Sequence, residues 1–261
     1  MRISRLLRLH FLLSGLLACF GGPAAGQSCL ALNRSFGFES APEIVSATDA
    51  IAQAFSKAAV DSGNAVHLSK ILSLYEPQKT PNLCSVASGN IAIRVLRDPS
   101  FQSENFLNAA TDAIEKSQLI QVDGNKVRDL PQGQSLAQLA TMLEKVHDLR
   151  SQPNIVSGTP ESIDQFRKNL LSSNSNPKTL MIVNYQESAI SKEFPDGGHF
   201  SPVAAYDPIS DRALIADVFQ TDKSSKTDTS WFWVKTDRLI DAMNSLDSES
   251  KQNRGYILLE N

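Results

Sequence analysis

The sequence predicts an α+β fold, with a helical half followed by an antiparallel sheet half and a cleft between the two layers. Three observations predict it. Apolar residues recur at helical spacing as far as Leu171. The polar run Ser172-Ser173-Asn174-Ser175-Asn176-Pro177 then reads as a linker. Beyond it, short apolar runs alternate with turn residues, which is the pattern of strands.

The first 26 residues have the form of a secretory signal peptide. Arg2, Arg5 and Arg8 make a positive start, Leu9 to Phe20 is an apolar run, and Ala24-Ala25-Gly26 offers small residues before Gln27. The run is too short to span a bilayer comfortably. Leu16-Leu17-Ala18-Cys19 loosely resembles a lipobox, so a lipoprotein is the lesser alternative. These features imply a periplasmic or secreted protein with no membrane span in its mature form. Residues 27–40 are polar and poorly periodic, and read as an N-terminal arm.

Losing the signal removes three arginines and no acids, which takes the formal charge from −3 to about −6. An acidic chain has no electrostatic reason to seek nucleic acid. A hydrophobic share of 41% over 261 residues supports a sizeable core without disulfide staples. The three cysteines form no CxxC and no Cys/His cluster, so no metal-ligating set is expected. Cys29 and Cys84 remain in the mature chain. A bridge between them would silence a Cys84 nucleophile, and the position of Cys29 in the arm makes that the lesser expectation.

Pro42 to Ala59 reads as the first helix, with Ile44, Ala47, Ile51 and Phe55 on one face. Val66 to Tyr75 gives a second. Pro77 breaks it, and Pro81 keeps the chain extended up to Cys84. Cys84 to about Leu96 suits a buried helix. Asn105 to Leu119, Ser135 to His147 and Pro160 to Leu171 are amphipathic, with Ser135 and Thr159-Pro160 as helix starts. Gly124-Asn125 and Pro131-Gln132-Gly133 mark turns. Strands are expected at Thr179 to Tyr185, His199 to Tyr206, Ala213 to Phe219, Trp231 to Lys235 and Gly255 to Leu259, with a short helix at Arg238 to Leu246.

The chemistry centres on Gln78 to Ser88, QKTPNLCSVAS. A thiol at a helix N-terminus sits among unsatisfied N–H groups and the positive end of the dipole, which favour the reactive thiolate. Gln78 can aim its amide at the oxygen of an attacked carbonyl. His67 and His147 lie in charged helical surroundings and read as surface residues. His199 instead follows Gly197-Gly198, where bare backbone can approach a ligand. Asp217 lies within the apolar run Ala213 to Phe219, where a carboxylate needs a partner, and an imidazole on the neighbouring strand is the natural one. Cys84, His199 and Asp217 then supply nucleophile, base and orienter. A two-ligand soft-metal site at Cys84 and His199, or a redox pair of Cys29 and Cys84, are the competing readings.

These residues carry a family resemblance. MIVNY, GGHFSPVAAYDP, ALIADV, FWVKTDRLIDAMNSLDS and NRGYILL between Met181 and Leu259, with QKTPNLCSVAS, FQSENF and GQSLAQLATML, resemble the phytochelatin synthases, specifically the short bacterial type. The resemblance implies a papain-like cysteine-peptidase fold over residues 41–261. It implies Cys84 as nucleophile, His199 as general base, Asp217 as its partner and Gln78 in the oxyanion hole. Asn184, Gly198 and Arg254 become the substrate-binding residues, Arg254 as a clamp for the γ-glutamyl carboxylate. The implied reaction is transfer of γ-glutamylcysteine from glutathione, or a related γ-glutamyl thiol peptide, to a second glutathione or to water, and a hydrolase-only enzyme is the alternative. No resident cofactor is implied. Cadmium or zinc enters as an activator or as a metal–thiolate substrate, and a homodimer is allowed. Three positions depart from the family pattern. Ser85 replaces a glycine after the nucleophile, and Glu187 and Gln220 replace arginines. The lost positive charge weakens recognition of a second anionic glutathione more than it weakens the first half-reaction.

Overall fold

The structure is a computed structural model, and it describes residues 42–79, 82–102, 105–106, 133–219, 231–248 and 250–261. The signal at 1–26, the arm at 27–40 with Cys29, nearly all of the helix expected at Asn105 to Leu119, the turn at Gly124-Asn125, Pro131-Gln132 of the following turn, and Gln220 with the loop to Ser230 lie outside the described residues.

Among the described residues seven strands form one antiparallel sheet. They are β1 (Ile44–Ser46), β2 (Arg150–Ile155), β3 (Thr179–Gln186), β4 (Gly198–Asp207), β5 (Arg212–Ile215), β6 (Phe232–Lys235) and β7 (Gly255–Glu260), in the order β1-β6-β5-β4-β3-β7-β2. Seven helices accompany them: α1 (Ala50–Asp61), α2 (Leu68–Leu74), α3 (Cys84–Leu96), α4 (Leu136–Lys145), α5 (Pro160–Ser175), α6 (Glu187–Ile190) and α7 (Thr236–Met243).

The alternation of strand side chains divides the core in two. On β3, Leu180 and Ile182 join one cluster with Ile91 and Val95 of α3 and Phe55 of α1. Met181, Val183 and Tyr185 of the same strand join the other, with Phe166 and Leu170 of α5 and Leu239 and Met243 of α7. The sheet is therefore buried on both faces, which is why TLMIVNY is apolar at nearly every position. Every residue of α3 except Arg94 is buried, so the helix that begins at Cys84 is a central element of the core.

The α+β class holds, and several details differ from the sequence expectation. The N-terminal half is not purely helical. Ile44–Ser46 pairs with β6, and the first helix starts only at Ala50. Arg150–Ile155 pairs with β7 as the opposite edge. The expected linker begins as the last turn of α5, which runs to Ser175. β5 ends at Ile215, so Asp217 lies just beyond the strand, although Ala216 N–H still donates to Pro202 O at 2.9 Å. His67 is not a surface residue. It is 2% exposed, and its Nε2 lies 2.5 Å from Thr179 O. Burial depresses its basicity more than the Thr179 and Asn176 carbonyls raise it. His147 is only half-exposed, stacked 4.7 Å from Phe106.

Candidate active site

Cys84 is the first residue of α3 and a free, buried thiol. No side chain caps the start of α3, so the first-turn N–H groups face whatever charge develops beside Cys84. Ser88, one turn along, donates to Phe200 O at 2.9 Å. That bond pins the start of α3 against the start of β4, next to His199.

His199 sits on β4 opposite Tyr185 of β3, with its ring edge-on to the tyrosine at 5.7 Å. Its Nε2 lies 2.7 Å from Asp217 Oδ1, and both side chains are almost fully buried. With Nε2–H donated to Asp217, Nδ1 is the ring nitrogen left to exchange a proton with the thiol. Burial alone would depress the imidazole's basicity. The Asp217 carboxylate and the Cys84 sulfur outweigh it and hold His199 well above its usual range. This favours the imidazolium form of His199 beside Cys84.

Asp217 is itself fixed. Phe219 N–H donates to its Oδ1 at 2.9 Å. Tyr75, at the end of α2, donates its hydroxyl to the Asp217 carbonyl at 2.5 Å. Gln78 N–H donates to Val218 O at 2.8 Å, which ties the segment before the nucleophile to the segment carrying the carboxylate. Gln78 is buried, and this bond sets its backbone beside the segment that carries Asp217.

The expected substrate residues adjoin them. Asn184 of β3 pairs with Phe200 of β4 and with Gly255 of β7, and Gly198 opens β4 beside His199. Asn184 and Arg254 both line a shallow concavity of about 100 Å³, which also takes in Leu136, Pro153 and Asp247. Arg254 Nη2 donates to Gln186 Oε1 at 3.0 Å, and Nη1 lies 3.3 Å from Asp247 Oδ1. The guanidinium lies against bare backbone at Gly198, where an added Cβ would come 2.5 Å from Nη1.

Sequence reasoning missed Tyr75 and gave Glu187 only a negative meaning. Glu187 opens α6 with its N–H donated to Gly197 O at 2.9 Å. Its Oε1 lies 3.9 Å from His199 Nδ1, on the side of the ring away from Asp217. Burial pushes its carboxyl up to about 7, with His199 opposing and Asp217 adding to the rise. A lone carboxylate directly after a buried strand was the available signal. Among the described residues, no group of three or more His, Cys, Asp or Glu is placed to hold a metal ion, and no helix is long and apolar enough to cross a membrane.

A thiol at a helix start, a buried imidazole and a carboxylate are together the parts of a nucleophilic acyl-transfer site. The chain belongs to the phytochelatin synthase family, whose model, described as phytochelatin synthase, matches residues 40–256. Glutathione gamma-glutamylcysteinyltransferase 3 of Lotus japonicus is 27% identical over 199 residues, which is 73% of this chain and 36% of the plant protein. Glutathione gamma-glutamylcysteinyltransferase 1 of Arabidopsis thaliana is 24% identical over 206 residues, 77% of this chain and 38% of its own. The glutathione gamma-glutamylcysteinyltransferase of Schizosaccharomyces pombe is 29% identical over 99 residues, 38% of this chain and 22% of its own. The chain thus spans well under half the length of these relatives.

Proposed function

We propose that the chain is a papain-like thiol enzyme that takes the γ-glutamylcysteinyl group of glutathione onto Cys84. The observation that carries this reading is the buried His199–Asp217 pair at 2.7 Å, standing beside a thiol at the start of α3. His199 Nδ1 takes the Cys84 proton, and the thiolate attacks the carbonyl carbon of the Cys–Gly amide. The Gln78 amide and the first-turn N–H groups of α3 receive the developing oxyanion. His199 returns the proton to the glycine nitrogen, the C–N bond breaks, and glycine leaves a thioester on Cys84. An acceptor then attacks the thioester, gives its proton to His199, and Cys84 departs as thiolate.

Arg254 serves the γ-glutamyl carboxylate by exchanging part of its hold on Asp247. Cadmium or zinc enters this reading only as part of a metal–thiolate substrate, and the site of action is periplasmic or secreted. The test is glycine release from glutathione. Wild type releases glycine, and Cys84→Ala releases none. Undiminished release by Cys84→Ala would refute the mechanism. A hydrolase-leaning variant of this reading has its own observation, the Glu187 carboxyl beside His199 Nδ1, which carries its negative charge above about pH 7. A second glutathione, which carries a carboxylate next to its amine, meets repulsion there, and water becomes the main acceptor. Mass spectrometry of the products separates free γ-glutamylcysteine from longer chains.

A further inference from the structure

We propose that Glu187 is a catalytic residue of the second half-reaction, which holds the acceptor by the hydrogen that His199 does not take and selects primary amines with no anionic neighbour. The proposal deepens the reading of Cys84 as an acyl carrier and rests on it. The geometry begins at Nδ1. An acceptor that gives its proton to His199 must come within about 3 Å of that nitrogen. Glu187 Oε1 lies 3.9 Å from the same nitrogen, so one acceptor atom can hydrogen-bond to both groups. An attacking amine has the matching valences. Its lone pair meets the thioester carbon, one N–H goes to Nδ1, and the other goes to Oε1.

A second observation points the same way. The Glu187 side chain is 8% exposed, and among the described residues its carboxylate has no hydrogen-bond partner. Its nearest charged neighbour is the imidazole at 3.9 Å. The carboxyl oxygens keep a path to water, since they are not among the sealed, unpartnered polar atoms of the interior, so a donor on the substrate can reach them and displace that water.

The step balances. The acceptor ammonium passes one proton to Glu187 and becomes an amine. The amine attacks the Cys84 thioester, and its second proton goes to Nδ1. A C–N bond forms, the C–S bond breaks, and Cys84 leaves as thiolate. A carboxylate beside the incoming nitrogen would face Glu187 and be repelled. The acceptor class is therefore a peptide amine or alkylamine without that neighbour, with water as the competitor. Released glycine, which carries its own carboxylate, is poorly placed to re-enter.

The test uses wild type and Glu187→Gln. Cys84 is modified with cationic 2-aminoethyl methanethiosulfonate and anionic 2-sulfonatoethyl methanethiosulfonate, each rate being normalised to neutral iodoacetamide. Wild type should favour the cation by about 10-fold or more, the scale of one charge contact at intermediate dielectric, and Glu187→Gln should bring the preference below about 3-fold. In turnover of glutathione, the preference for glycinamide over glycine, each corrected for its free-amine fraction, should be about 10-fold in wild type and lost in the variant. No cation preference in wild type, or an unchanged preference in the variant, overturns the proposal, as does equal capture of glycine and glycinamide. If wild type releases no glycine from glutathione, the donor assignment falls, while the charge selectivity of Cys84 still decides the role of Glu187.

Discussion

At the scale of single residues, Gly198 lacks a side chain where the Arg254 guanidinium needs the room. Gly198→Ala should displace that guanidinium and raise KM for glutathione by roughly 10-fold, with a smaller change in kcat, as loss of uniform binding requires. Steady-state kinetics check this, and an unchanged KM removes Arg254 from the substrate site. Glu187 makes a thermodynamic prediction. Its carboxyl is raised from 4.5 to about 7, so between those values the folded chain binds its proton more tightly than the unfolded chain does. Stability from this group therefore falls as pH rises from about 4.5 to about 7, by up to ~3 kcal/mol. Glu187→Gln should remove that slope and stabilise the protein at pH 8 more than at pH 4.5 in urea titrations. Cys84, His199 and Asp217 were legible in the sequence because each is a reactive side chain set in apolar surroundings that need a reason to hold it. Tyr75 and Glu187 were not, because one acts through a hydroxyl on the Asp217 carbonyl and the other through a turn that only the folded strands define.

At the scale of elements, helix starts could be read because capping is local chemistry. Ser135 accepts from Gln138 N–H at 3.3 Å while Gln138 Oε1 accepts from Ser135 N–H at 2.8 Å, a reciprocal cap at the start of α4. Ser135→Ala should cost about 1 kcal/mol, seen as a lower urea midpoint at unchanged slope. At the start of α5, Thr159 accepts from Ser162 N–H at 3.3 Å, with Pro160 as the first helical residue, and among the described residues no bond returns. The two edge strands escaped the reading for physical reasons. β1 is three residues long, and Ile44 happens to fall in helical phase with Ile51 and Phe55. β2 is polar, mostly exposed and carries Pro153, which an edge tolerates and a hydrophobic pattern does not reveal.

At the scale of the whole molecule, the site exists because α3 is buried against one face of the sheet while α5 and α7 cover the other. The sequence order of helices then strands suggested two packed layers. That α5 and α7 lie on the opposite face could not be read from periodicity, which reports that a face is apolar and not which partner covers it. The consequence for function is rigidity. Cys84, on a helix buried except at Arg94, meets His199 and Asp217 on segments tied together by Ser88, Tyr75 and Gln78. The central claim is that this constellation carries an acyl group on sulfur. The most direct measurement is mass spectrometry of the protein acid-quenched soon after mixing with glutathione. The account predicts one γ-glutamylcysteinyl group on the peptide containing Cys84, formed with an equal amount of glycine. Glycine released with that peptide unmodified at every quench time, or the acyl group found on another residue, would contradict it.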